Sequence, residues 1–135
     1  FVADAAFTPD LKTLITSQGR ELIFWDLASG EAVATLATDG TEHGGNVVLS
    51  KDGRWLAMTD LNYVGDPGSN AIRVFDPKSR RLIATLDPGQ SRPSSFAFSP
   101  DGMRLVTGMS DGTALVWDLA GALKDEPPAS EQSKE

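Results

Sequence analysis

This 135-residue chain says the same thing three times. Phe7-Thr8-Pro9-Asp10, Leu49-Ser50-Lys51-Asp52-Gly53 and Phe98-Ser99-Pro100-Asp101-Gly102 open three units. Each unit later reaches an aromatic–aspartate pair: Trp25-Asp26, Phe75-Asp76 and Trp117-Asp118. The openers stand 42 and 49 residues apart, the pairs 50 and 42. Self-similarity at a period of about 40–45 residues restricts the chain to stacked copies of one supersecondary unit.

Each unit is built from short apolar runs between turn residues. In the first, strands are expected near 3–7, 13–17, 21–26 and 32–36, with turns at Pro9-Asp10, Gly19-Arg20 and Ser29-Gly30. The second places them near 46–49, 55–59, 71–75 and 82–86. The third gives 95–98, 104–107 and 114–117, then runs into Ala120-Gly121-Ala122 and a polar tail. No stretch has a helical period, so each unit reads as an antiparallel meander. Four short strands at this period make a propeller blade. Leu22-Ile23-Phe24-Trp25 and Ala114-Leu115-Val116-Trp117 are apolar at every position, so both faces of such strands want burial, as between stacked sheets. Gly53 and Gly102 supply a positive φ after the Asp of the opening turn. The first unit has Leu11 there, so its turn is expected to be longer or strained by about 1 kcal/mol.

The fold expected is all-β: a partial β-propeller of three antiparallel four-stranded blades at about 2–37, 45–87 and 94–119, the third lacking its outer strand. Residues 122–135, with Asp125, Glu126, Glu131, Glu135 and Pro127-Pro128, are expected to form a disordered acidic tail. Propellers commonly have about four to eight blades. The three units therefore read as the C-terminal piece of a larger propeller. An array with two uncapped ends is expected to self-associate or to need further blades.

Net charge is −7. That disfavours nucleic acid, whose binding rests on Lys and Arg at phosphates. There is no cysteine, hence no disulfide or thiolate metal site. That suits the cytosol and an oxidising compartment alike; the compartment stays open, with the cytoplasm ahead. No apolar run approaches the roughly 20 residues of a membrane span, so no membrane partner is expected.

The Phe-Ser-Pro-Asp-Gly turn, Thr107-Gly108-Met109-Ser110-Asp111-Gly112-Thr113 and Val116-Trp117-Asp118 together resemble the WD-repeat β-propeller family, over roughly residues 2–121. The second unit, with Val74-Phe75-Asp76-Pro77, also looks like related bacterial propellers. The resemblance implies a buried hydrogen-bonded set of His, Ser/Thr, Asp and Trp in each well-formed blade. It would keep Thr107, Asp111 and Trp117 in the third unit, with Gly89 or Gln90 near the His position. It would keep Thr16 and Trp25 in the first, where Gly19 replaces the Asp. The second unit has Met58 and Phe75 and has lost the set. The resemblance also implies that the loops between second and third strands share one rim with the linkers between blades. Gln18–Arg20, Thr38–Gly45, Asp60–Asn70, Asp87–Pro93 and Asp111-Gly112 fall on it.

That rim carries the candidate binding residues: Glu42, His43, Asn62, Tyr63, Asp66 and Arg92. Asp60, Asn62 and Gly65 partly imitate a calcium loop, but Val64 and Ala71 stand where ligands are needed, so no metal is expected. A Gly/Asp/Asn-rich loop obeying turn preferences explains most of that segment. His43 is the sole histidine and has no nucleophile motif beside it. The innermost strands offer only Asp4 and Asn46 to a central channel, so no catalytic residue and no cofactor are expected. The function expected is a non-catalytic protein-binding scaffold, joined to further blades or to itself. The alternatives are a fragment of a propeller hydrolase or lactonase-like enzyme, or a sensor appendage of a bacterial kinase, protease or cytochrome protein.

Overall fold

The computed structural model describes residues 2–38, 44–60, 70–121 and 132–134; Asp60 and the last three are described by backbone alone. The first unit forms β1 (Asp4–Phe7), β2 (Thr13–Gln18), β3 (Glu21–Asp26) and β4 (Ala32–Ala37). The second forms β5 (Gly45–Leu49), β6 (Leu56–Asp60), β7 (Ile72–Asp76) and β8 (Arg81–Leu86). The third forms β9 (Pro93–Phe98), β10 (Arg104–Met109) and β11 (Ala114–Asp118). Every strand pairs antiparallel with its neighbour in sequence, giving sheets ordered β1-β2-β3-β4, β5-β6-β7-β8 and β9-β10-β11. The protein is all-β, a partial propeller, as the repeat requires.

Among the described residues, no full-length strand follows β11. Its outer edge is instead paired by a three-residue strand, β12 (Gln132–Lys134), with Leu115 opposite Lys134 and Trp117 opposite Gln132. The third unit therefore lacks a full-length outer strand, as its sequence implies. An edge strand presents unpaired N–H and C=O groups that any extended segment within reach can satisfy. The rest of the tail lies outside the described residues.

The period of two along each strand divides side chains between two cores. Leu56, Met58 and Phe75 of the middle sheet face the first sheet and pack with Ile15, Leu22 and Phe24. Ala57, Ile72, Val74 and Ala84 face the other way, toward Leu105, Leu115 and Trp117. Ile72 through Phe75 are therefore all buried, whereas Ile23 and Val116 in the end sheets are only half-buried. Each fully buried Leu, Ile, Phe or Met contributes about 1.5–3 kcal/mol. Between units the strand contacts run chiefly through the innermost strands, β1 with β5 and β5 with β9. That fans the sheets from a shared inner edge. Register slips by one residue at Phe24/Trp25 and again at Val74/Phe75, so the repeat extends to its bulges.

The three opening turns have one construction. The Ser99 hydroxyl donates to Asp101 Oδ1 at 2.6 Å, the Met103 N–H donates to the same oxygen at 2.9 Å, and the Arg104 N–H donates to Ser99 Oγ at 3.0 Å. Ser50 and Asp52 repeat this at 2.7, 3.0 and 3.0 Å. Thr8 and Asp10 repeat it at 2.7, 3.0 and 3.1 Å. Leu11 occupies the place of Gly53 and Gly102, with φ of 57° against 74° and 71°. The first turn is thus no longer than the others. Its side-chain bonds hold a leucine in the left-handed region that glycine adopts without strain.

Candidate functional site

The family set implied by the sequence is present in part. Trp117 and Thr107 are both fully buried, and the indole N–H donates to Thr107 Oγ1 at 3.0 Å. The Thr107 hydroxyl in turn points to Met109 Sδ at 3.5 Å. The first unit repeats the pair: Trp25 Nε1–H donates to Thr16 Oγ1 at 2.9 Å. In the second unit Phe75 needs no acceptor, and Met58 replaces the hydroxyl in an apolar contact.

Asp111 lies in the turn between β10 and β11. It is exposed, and it closes its own turn by accepting from the Thr113 N–H at 3.0 Å and the Thr113 hydroxyl at 2.6 Å. Its other oxygen accepts from the Ser91 hydroxyl at 2.7 Å. A linker donor to Asp111 is thus Ser91, the residue after Gln90.

These bonds belong to a rim on which linkers and the second-to-third-strand turns meet. Arg92 and Ser110 are tied twice: the Arg92 N–H donates to Ser110 Oγ at 3.0 Å, and the Ser110 N–H donates to the Arg92 carbonyl at 2.8 Å. Asn70 Nδ2 donates to the carbonyls of Gly89 and Gln90 at 3.4 and 3.2 Å, joining the second unit to the following linker. The Gly45 N–H donates to Ser17 Oγ at 2.8 Å across the first two units. Asp4, a possible channel ligand, accepts instead from the Val47 and Ala5 N–H groups at 2.9 and 2.8 Å. Of the candidate binding residues only Arg92 is described. Glu42, His43, Asn62, Tyr63 and Asp66 lie outside the described residues, as does most of the calcium-like segment.

Sequence reasoning missed Ser91 and Asn70. A hydroxyl or amide in a linker has no spacing signal, and its partner lies about 20 residues away. It also missed a groove of about 470 Å³ at the opposite rim, between the first two units. Pro9, Val33 and Pro77 line it beside the buried Ile15 and Phe24, with Asp10, Asp52, Lys78 and Arg80 among its polar lining. The Arg80 guanidinium lies 5.5 Å from the Phe24 ring centroid, within cation–π range. The carboxyls of the three opening turns are all held below the usual range. For Asp10 and Asp101 the main cause is the hydroxyl donor, Thr8 or Ser99; for Asp52 it is the Arg54 N–H, then Ser50.

Comparison with known proteins places these features. Residues 80–118 match the family of the WD domain, G-beta repeat. The chain is 34% identical over 83 residues to cilia- and flagella-associated protein 52 of Macaca fascicularis, covering 58% of this chain and 14% of that protein. It is 27% identical over 125 residues to the guanine nucleotide-binding protein subunit beta of Oryza sativa subsp. japonica, covering 88% of this chain and 32% of that protein. The chain thus spans a third or less of each of these curated relatives. In three dimensions it superposes on the crystal structure of the RRP9 WD40 repeats with a TM-score of 0.75 and 21% identity, covering 90% of this chain and 36% of that one.

Proposed function

Since the chain belongs to the WD-repeat β-propeller family, we propose that it is a non-catalytic platform for protein partners. Its contact surface is the rim that carries Arg92, with Glu42, His43, Asn62, Tyr63 and Asp66 as further contacts. The observation that supports this most is the double tie between Arg92 and Ser110 together with the Ser91–Asp111 bond. A linker and a turn locked together lose little freedom on binding, so a partner meets a surface already ordered. The net charge of −7 favours a neutral or basic protein segment over a polyanion.

The test is a tiled-peptide binding screen on the chain, repeated with Arg92→Glu, Tyr63→Ala and, on the opposite rim, Lys78→Ala. The first two weaken selected peptides tenfold or more, and Lys78→Ala leaves them unchanged. Equal affinities in all three variants would remove the rim from the interface. Turnover of a lactone or ester panel by the chain would favour the hydrolase alternative.

A further inference from the structure

One position of the repeat is filled between the second and third units and open between the first two. Thr13, Trp55 and Arg104 are equivalent. Each follows an opening turn, and its N–H donates to the turn hydroxyl of Thr8, Ser50 or Ser99 at 3.1, 3.0 and 3.0 Å. Trp55 is buried in the core shared with the third unit, as is Leu119, the residue after the pair Trp117-Asp118. The Trp55 indole N–H has no partner among the described residues, so the ring is held there by its apolar area.

Between the first two units Thr13 stands in place of Trp55, and Pro77 in place of Leu119. The groove of about 470 Å³ opens at that place, lined by Thr13, Ile15, Phe24 and Pro77. Both sheets that flank it have four strands. Its volume falls within the range of about 300–1,000 Å³ of small-molecule sites. The charges are sorted along it. Asp10 and Asp52 belong to the opening turns, which follow the innermost strands β1 and β5. The Thr8 hydroxyl holds the Asp10 carboxyl below the usual range, and the Arg54 N–H holds that of Asp52, so both are anionic at neutral pH. A Cβ on Gly53 would lie 2.9 Å from Pro9 Cδ, so the two opening turns touch and close this inner end. Lys78 and Arg80 belong to the turn between β7 and the outermost strand β8. The groove thus has an anionic inner end, an apolar middle left vacant by a missing indole, and a cationic outer end.

We propose that this groove binds a short zwitterionic peptide with an aromatic residue at its centre and both ends free. The ring takes the place that Trp55 takes in the next interface, against Ile15 and Phe24. The terminal ammonium lies toward Asp10 and Asp52, and the terminal carboxylate toward Lys78 and Arg80. A free amino acid carries both charges on one carbon and cannot reach the two ends. The site lies at the opposite rim from the surface that carries Arg92 and is independent of it.

Calorimetric titration of the full 135-residue chain with the tripeptide Gly-Trp-Gly tests this, with methyl NMR to locate it and circular dichroism to confirm folding of each variant. The expected result is one site per chain, tighter than about 1 mM, with the largest shifts at the methyls of Thr8, Thr13, Ile15 and Val33. Gly-Ala-Gly binds at least tenfold more weakly, and so does Gly-Trp-Gly to the double variant Lys78→Ala with Arg80→Ala. Thr13→Trp, which supplies the missing ring from the chain itself, abolishes binding. Absence of any shift at the methyls lining the groove overturns the proposal, and that readout needs no variant. Undiminished binding to Thr13→Trp overturns it too. Equal binding of the tripeptide with its ends acetylated and amidated overturns the zwitterion in favour of an internal segment of a protein.

Discussion

At the residue scale, one buried donor and its acceptor decide most. Trp117→Ala removes the largest fully buried side chain and strands the Thr107 hydroxyl, so it costs about 3–5 kcal/mol. Phe75→Leu is closer to a volume-conserving exchange and costs under about 1.5 kcal/mol. Urea midpoints of both variants check the ranking; equal shifts would refute it. Leu11 is 68% exposed, so its side chain holds little packing energy while its backbone sits at a φ of 57°. Leu11→Gly therefore stabilises the chain by about 1 kcal/mol, read as a raised urea midpoint. The pH dependence follows from Asp10, Asp52 and Asp101. Their carboxyls are lowered in the folded state, so the unfolded chain takes up protons first as pH falls. Their contribution is whole above the unfolded value, about pH 4. It is lost as the pH falls on through the lowered folded values. Midpoints measured from pH 7 to pH 2 show this as an acid limb, shallower in Asp101→Asn.

At the element scale, strand edges and turns separate what alternation specifies from what it does not. Gly45 opens β5 and has no room for a side chain, since a Cβ there would collide with the Thr59 carbonyl oxygen across β6. Gly45→Ala forces β5 away from β6 and from Ser17, costing about 1–3 kcal/mol. Gly30 has a φ of 74° and open space around it, so Gly30→Ala costs only the conformational term, about 1 kcal/mol. Thermal unfolding of the two variants distinguishes crowding from backbone strain. Eleven strands were legible because each alternates or runs apolar between Pro, Gly and Asp turns. β12 was not, because pairing of Gln132–Lys134 depends on the open edge of β11 and on no pattern of its own. The Leu11 turn misled for a related reason: Thr8 and Asp10 set its shape through side-chain bonds, and the missing glycine changes only the strain. Within the blades, the Trp–Thr pairs followed from the resemblance. The Ser91–Asp111 bond did not, because it replaces a His partner with a shorter donor one or two residues away.

At the scale of the whole molecule, three copies of one meander are stacked so that each aromatic–Asp face points to the unit before it. The middle sheet is buried on both sides. Trp117 reports this order directly, because its ring must lie against the second unit and its N–H must reach Thr107. The decisive measurement is an NMR nuclear Overhauser spectrum of the labelled chain, centred on the Trp117 ring and indole N–H. Cross-peaks from the ring to methyl groups of Ala57, Ile72, Val74 and Ala84, with a slowly exchanging indole proton, are the expected result. Contacts confined to the ring's own sheet, with an indole proton that exchanges at the rate of a solvated one, would contradict the stacked-blade account.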